Sequence, residues 1–313
     1  MGTRVRTGAS VTTTTDPTFW ARAEFVDKRL AKMLGQGSVS LVLGAGASAG
    51  FRLPDWETLV NDIYSEVGAG LPTKATSPTK LSDDLKRSHF KGKDLEFSKV
   101  VRKALYKDFS ASSSAILISP LLQAIGSFLA SSMRGSAGSL ITFNFDDLVE
   151  TYLRTMGFVV TSEAEAPFWR SNADMQVLHP HGLLPLVDES GCTSIVFTDS
   201  DFVRVIGRAE NAWNGSMHAT LSGTTAVFIG LSGDDMRLRS VLEKVKESHV
   251  ATKLGHPYWA VRATVKSEDT NRVDMWRELG VAPRFLSTYD EIPNWLLGIC
   301  RLSAANASAR SVN

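Results

Sequence analysis

Four short stretches carry side chains that could do chemistry, and each follows an apolar run of the length of a buried strand. They read GAGASAG at residues 44–50, TFNFDD at 142–147, LHPHG at 178–182 and FIGLSGDD at 228–235. In an open α/β sheet, ligands bind beyond the carboxyl ends of the strands. The spacing therefore predicts that these four loops line one cleft.

The first loop has the composition of a phosphate-binding turn. Glycine allows positive φ and close approach of a phosphate, and the helix N-terminus behind it supplies amide donors. The dinucleotide fingerprint G-x-G-x-x-G would place its third glycine at position 49, whereas this chain has Gly50. Taken alone, the loop could equally be a bare strand-to-helix turn.

Asn144 ends a predicted strand, where its amide could point into the cleft. The alternative is a helix N-cap, which is a common role for asparagine. Asp146 could cap that helix instead and leave Asn144 for ligand contact.

His179 and His181 are two of the six histidines in the chain. On an extended segment residues i and i+2 point the same way, so both could reach one cavity. A metal site would need a further ligand that the sequence does not offer. Acid–base work suits a histidine better here, because its pKa lies near neutrality.

The fourth loop is a second strand–glycine–helix elbow. Ser232 and Asp234 are available there for ribose or phosphate contacts. The alternative is a capped turn, with Asp234 or Asp235 at the start of the next helix.

The elements that must position these loops alternate between strands and helices. Apolar strands separated by helices predict a doubly wound, mainly parallel Rossmann-like α/β sheet. We expect a mobile arm over residues 1–18 and a single domain over 19–313, with a helical insertion at about 60–135. The strands are predicted at 39–44, 139–145, 158–162, 176–182, 194–199, 225–230, 257–263 and 284–288.

Composition narrows the class of protein. The net charge is +1, so no global field favours nucleic acid. The two cysteines, Cys192 and Cys300, form no C-x-x-C pair, which argues against a zinc ribbon and a secreted disulfide scaffold. Residues 109–133 carry no charge, but eight serines and Pro120 favour a buried helix over a membrane span. We expect a cytoplasmic protein without a metal, a membrane contact or direct nucleic-acid binding.

The order of the four loops resembles that of the sirtuin-like family. A glycine elbow is followed by a strand with N-F-D-D, by H-G, and by G-x-S with an acidic residue. The segment LGAGAS…LPDWETLV is similar to the branch of prokaryotic anti-phage NAD hydrolases. The resemblance runs from about residue 39 to about residue 245.

The resemblance implies roles for ten residues, with NAD⁺ as the substrate. Asn144 matches the catalytic asparagine that holds the nicotinamide ribose and the attacking water, and His181 matches the catalytic histidine. His179 has no family role, and we expect it in the pocket wall. The nucleotide-binding positions are Gly44, Ala45, Gly46, Ser48, Asp146, Gly230, Ser232 and Asp234.

The implied reaction is hydrolysis of NAD⁺ to nicotinamide and ADP-ribose, depleting the cell of NAD⁺ as an anti-phage effector. The deacylases of the family carry a four-cysteine zinc module that this chain cannot build, so water is the expected acceptor. Two alternatives stay open: a catalytically silent NAD⁺ or ADP-ribose sensor, and an ADP-ribosyl or deacyl transferase. The resemblance also implies a homo-oligomer, or a separately encoded partner such as a HerA-like ATPase or an Argonaute-like protein.

Overall fold

A computed structural model gives the structure of the chain. It describes residues 22–70, 78–109, 112–132, 139–165, 172–206, 212–251 and 258–310. The expected N-terminal arm, residues 1–18, lies outside these ranges.

Within the described residues, seven strands form one sheet in the order β3-β4-β2-β1-β5-β6-β7. All six neighbouring pairs are parallel. The strands are β1 (Val39–Leu43), β2 (Ser139–Thr142), β3 (Val160–Glu163), β4 (Met175–Leu178), β5 (Thr225–Ile229), β6 (Ala260–Val265) and β7 (Val281–Leu286). The Rossmann-like fold class predicted from the sequence is confirmed.

Helices cover both faces of this sheet, because neighbouring strand residues point to opposite sides. Leu41 and Leu43 pack on one face with α1, α6, α7 and α12, while Val42 packs on the other with α9, α10 and α11. The helices are α1 (Ala23–Leu34), α2 (Trp56–Glu66), α3 (Pro78–Leu85), α4 (Asp94–Leu105), α5 (Ser113–Ile118), α6 (Pro120–Ser132), α7 (Leu148–Thr155), α8 (Asp199–Ile206), α9 (Ala212–Gly223), α10 (Met236–Ala251), α11 (Thr270–Glu278) and α12 (Ile292–Arg310).

The direction of winding reverses between β1 and β5. From β1 the chain proceeds to β2 on one side, and from β5 it proceeds to β6 on the other. Such a switch point leaves a crevice beyond the carboxyl ends of the two strands. Both glycine loops follow these two strands, so the topology puts them at the crevice.

Helices α2 to α6 all lie between β1 and β2, the region where the sequence predicts an insertion. A separate apolar cluster holds part of this region, with Leu59 of α2 and Phe97 and Val101 of α4 against Phe145 and Phe197. The domain limits themselves stay a prediction.

The uncharged segment contains two helices, α5 and α6, where the sequence predicts one buried helix. The Ser119 hydroxyl accepts the backbone N–H of Leu122 at 3.4 Å, and α6 starts at Pro120. No helix in the described ranges has the length and apolar character needed to cross a bilayer.

The strand predicted at 194–199 is wrong. Residues 193–199 make separate backbone hydrogen bonds to the 181–183 loop, from Thr193 N–H to Leu183 C=O and from Val196 N–H to His181 C=O. That loop leaves the sheet at β4 and turns at Gly182, so the segment has no regular strand to pair with.

Candidate functional site

The two glycine loops pack against each other backbone to backbone. The Gly46 N–H donates to the carbonyl of Gly230 at 3.1 Å, and the Gly44 N–H donates to that of Ile229 at 3.0 Å. A Cβ at Gly46 would lie 2.7 Å from the Cα of Gly230, which itself has a φ of +71°. Close approach of the loops therefore requires glycine at both places, quite apart from any ligand.

The second loop meets the first through a buried hydrogen-bonded chain. The Asn144 amide nitrogen donates to Ser48 Oγ at 3.0 Å, and Ser48 Oγ donates to Asp146 Oδ2 at 2.8 Å. The other oxygen of Asp146 accepts the backbone N–H of Leu148 at 3.3 Å. Asp146 thus bonds the first turn of α7, and the Asn144 side chain is turned towards the first loop instead.

Burial raises the pKa of Asp146 to about 6. The hydrogen bonds from Ser48 and Leu148 oppose this rise, whereas the nearby carboxylates of Asp147 and Glu150 add to it. An acid with such a pKa can hold or release a proton near neutral pH.

The third loop supports Asn144 from behind through His179. The Nδ1 of His179 lies 3.2 Å from the backbone oxygen of Asn144, and its Nε2 lies 2.5 Å from Glu150 Oε1. Burial opposes a charge on His179, but the Glu150 carboxylate outweighs it and raises the pKa of the imidazole. Burial likewise opposes ionisation of Glu150, and His179 outweighs it and lowers the pKa of that carboxyl. The two side chains form a buried ion pair.

The expected place of His179 in the pocket wall is wrong, since its side chain is fully buried. The expectation failed because β4 ends at Leu178 and the chain turns at 180–181. His179 and His181 therefore do not share one side of a strand.

His181 faces the fourth loop. Its Nε2 lies 2.9 Å from Oδ2 of Asp235, although the ring N–H is not aligned to make a hydrogen bond. The rings of Phe143 and Phe202 stand edge-on to the imidazole, with centroids 4.9 and 5.5 Å away. Gly182 follows with a φ of +94°, and a Cβ there would lie 2.5 Å from a backbone oxygen.

These contacts join the four loops into a closed circle. The first touches the second through Ser48, the second touches the third through the Asn144 carbonyl, the third touches the fourth through His181, and the fourth touches the first through Gly230. The loops follow β1, β2, β4 and β5, which are four neighbouring strands of the sheet.

A cavity of about 1040 Å³ opens on the glycine-loop side of this circle. Three of the residues predicted to bind the nucleotide, Gly46, Gly230 and Ser232, line it. The remaining predicted residues do not line it: Gly44, Ala45, Ser48, Asn144, Asp146, His181 and Asp234.

Several polar residues of this cavity were missed by sequence reasoning. Arg52 adopts a left-handed conformation, with a φ of +58°, at the end of the first loop. Arg272 of α11 and Tyr289 line the cavity as well. No motif marks these residues, because they come from segments far apart in the chain.

A buried arginine links the fourth loop to the end of β6. Arg262 donates through Nε and Nη2 to the Leu231 carbonyl, and it pairs with both oxygens of Glu268 at 2.7 Å. Burial raises the pKa of Glu268, but the hydrogen bonds from Arg262 and Thr264 outweigh it and lower the pKa. This clamp fixes one wall of the cavity.

The two polar side chains predicted on the fourth loop are both exposed. Ser232 Oγ accepts the backbone N–H of Asp234 at 3.3 Å, and the Asp234 carboxylate lies 3.6 Å from Arg272. Across the described ranges, no three His, Cys, Asp or Glu side chains are grouped to hold a metal ion.

Comparison with known proteins bears on the family of this site. Residues 138–283 match a family model described as the SIR2-like domain. This stretch, a little under half of the chain, is similar to the SIR2-like domain. This confirms the resemblance at the level of the family, and the match says nothing of the anti-phage branch.

The SIR2-like domain match includes Asn144, His181 and the second glycine loop, and the first glycine loop precedes it. No curated protein matches the sequence. Among solved structures, the chain is similar to that of a Sir2 homolog–NAD complex, with 13% identity and a TM-score of 0.45. That similarity covers 89% of this chain and 94% of the other.

Proposed function

We propose that this chain binds NAD⁺ and hydrolyses it at the nicotinamide–ribose bond. The observation that carries the proposal is the closed circle of four loops at the carboxyl edge of the sheet. In this circle, Asn144 contacts the first glycine loop through Ser48, and His181 contacts the second glycine loop through Asp235. The SIR2-like domain match supports NAD⁺ as the ligand.

The size and lining of the cavity support a dinucleotide as its ligand. Its volume of about 1040 Å³ is at the upper end of ligand pockets, which measure about 300–1,000 Å³. The glycine loops offer backbone at Gly46 and Gly230, and Arg52 and Arg272 offer positive charge for the pyrophosphate. The ADP half would lie here, with the nicotinamide ribose directed towards Asn144 and His181.

The reaction needs little from the protein beyond positioning and a base. The C–N bond breaks, and nicotinamide leaves as a neutral molecule with the bonding electron pair. Water adds to the ribose carbon, and His181 accepts its proton, so the products are nicotinamide, ADP-ribose and H⁺. General base catalysis contributes roughly 10²–10⁴-fold.

Asn144 would hold the ribose and the water. Its amide is already oriented by Ser48, and its backbone is supported by the His179–Glu150 pair. Side chains fixed before substrate arrives lose less freedom in the transition state.

One observation favours a second candidate, a silent NAD⁺ or ADP-ribose sensor. Neither Asn144 nor His181 lines the cavity, and the Asn144 amide nitrogen is already bonded to Ser48. A site that binds the nucleotide half without reaching the scissile bond would behave as a sensor.

The test is nicotinamide release from NAD⁺ by the purified chain, with NAD⁺ binding measured separately by calorimetry. We expect His181→Ala and Asn144→Ala to lose release while keeping binding within a few-fold. His89→Ala, an exposed histidine between α3 and α4, serves as the matched control. Release that persists in the double variant contradicts the hydrolase, and tight binding without any turnover favours the sensor.

A constantly active NAD⁺ hydrolase would deplete its own cell, so its activity must be controlled. We propose control through self-assembly or a separately encoded partner such as a HerA-like ATPase or an Argonaute-like protein, with NAD⁺ loss serving anti-phage defence. This rests on the resemblance of the first loop. A chain that is monomeric by light scattering and fully active on its own would count against this control.

A further inference from the structure

The contact between His181 and Asp235 was not expected from the sequence. The two side chains are nearly buried, 11% and 14% exposed, with Nε2 and Oδ2 2.9 Å apart. The distance is already that of a hydrogen bond, and only the direction of the ring N–H departs from one. A change of ring orientation, without a shift of the backbone, would align the pair.

Helix α10 fixes the Asp235 carboxylate. Its Oδ1 accepts the backbone N–H of Leu238 at 2.9 Å, which makes Asp235 the N-cap of the helix. The cap holds the side chain in one rotamer, so Oδ2 is presented to His181. The fourth loop thus supplies an anion at a fixed position.

The surroundings of the imidazole strengthen this contact. Phe143 and Phe202 flank the ring and its side chain is only 11% exposed, and electrostatic interactions are stronger in such low-dielectric surroundings. A carboxylate facing one ring nitrogen favours a proton on that nitrogen, which leaves the lone pair on the other.

We propose that Asp235 is a positioning residue for His181. It holds the proton on Nε2 and so makes Nδ1 the nitrogen that accepts a proton from water. The catalytic part of this proposal rests on the proposed hydrolase function, while the tautomer and orientation of His181 do not.

The experiment compares wild type with Asp235→Asn, which keeps the helix cap because asparagine and aspartate cap about equally well. We expect an unchanged unfolding midpoint. In ¹⁵N-histidine-labelled protein, the His181 ring signals, assigned by their loss in His181→Ala, should move towards the Nδ1–H tautomer. The reason is that the asparagine amide can donate to Nε2. We expect kcat for nicotinamide release to fall about 10²-fold with KM little changed.

Asp269→Asn is the matched control, since Asp269 caps α11 by accepting the N–H groups of Asn271 and Arg272 from an exposed position. It should change neither the His181 signals nor kcat. His181 signals that are the same in wild type and Asp235→Asn overturn the proposal, whether or not nicotinamide is released. A changed tautomer with an unchanged kcat overturns it too. If wild type releases no nicotinamide, the hydrolase fails, and the NMR spectra alone decide the role of Asp235.

Discussion

Removing Glu150 tests whether a buried ion pair supports Asn144, the asparagine proposed to be catalytic. Glu150 and His179 are 1% and 0% exposed, and their nearest nitrogen and oxygen lie 2.5 Å apart. Ser162 donates a further hydrogen bond to the same oxygen at 3.1 Å. No solvent is available to replace these partners, so a truncated side chain leaves Nε2 of His179 without a partner in the core.

We expect Glu150→Ala to lower the free energy of unfolding by about 3–5 kcal/mol, the usual cost of removing one member of a buried pair. Glu150→Gln should cost less, about 1–2 kcal/mol, because its amide oxygen can still accept the Nε2–H of a neutral His179. Urea denaturation at pH 6 measures both. Equal, small losses in the two variants would refute the assignment of an ion pair.

The pH dependence gives an independent check. The pKa of His179 is raised, so its contribution to stability is complete below the ordinary histidine value of 6.5 and is lost as the pH rises through the folded-state pKa. The pKa of Glu150 is lowered, so its contribution is complete above 4.5 and is lost as the pH falls through its folded-state pKa. The difference between wild type and Glu150→Gln should be greatest between pH 4.5 and 6.5. A difference that stays constant up to pH 9 would contradict the pairing.

The functional consequence follows from the contact of His179 with the Asn144 carbonyl. We expect folded Glu150→Gln to release nicotinamide more slowly, with NAD⁺ binding little changed, because only the support of Asn144 is lost. Activity equal to wild type per folded molecule would show that this support is dispensable.

Three further changes test other parts of the structure. Gly230→Ala should destabilise the fold by more than Gly68→Ala; both positions have positive φ, worth about 1–2 kcal/mol, but only Gly230 would place its Cβ 2.6 Å from a backbone atom. Equal unfolding midpoints for Gly230→Ala and Gly68→Ala would contradict the close packing of the two glycine loops. Asp146 has a pKa raised to about 6, so its contribution to stability should disappear as the pH rises from 3.8 through 6, and urea denaturation of Asp146→Asn should lack that step. The same pH slope in both proteins would contradict a buried, late-titrating carboxyl. Asp27→Asn removes the charge and one of the two acceptor oxygens that pair with Arg284 at 2.9 Å, while the amide oxygen can still accept from Trp295, and it should cost about 1–3 kcal/mol without slowing nicotinamide release. Slower nicotinamide release by the folded variant would mean that the contacts of Asp27 influence the proposed active site.

The pattern of apolar runs was sufficient to predict the fold class. β1 and β5 are buried along their whole length, and such strands occur in sheets covered on both faces. α6 starts at Pro120 and α7 ends just before Gly157, and both residues act locally, since proline and positive-φ glycine exert their effect within one turn of the chain. The segment at 194–199 has the composition of a strand, but strand formation also needs a pairing partner, which composition does not reveal.

The sequence by itself determined which loops carry the candidate residues, because glycine elbows and lone polar residues at strand ends are visible one segment at a time. Only the tertiary structure decided how they meet. His179 is a buried support, Asp235 faces His181, and Arg52 lines the cavity with Arg272. These facts depend on distances between residues as far as 220 positions apart in the chain. Such distances are set by the order of the strands in the sheet, and no local pattern of residues encodes that order.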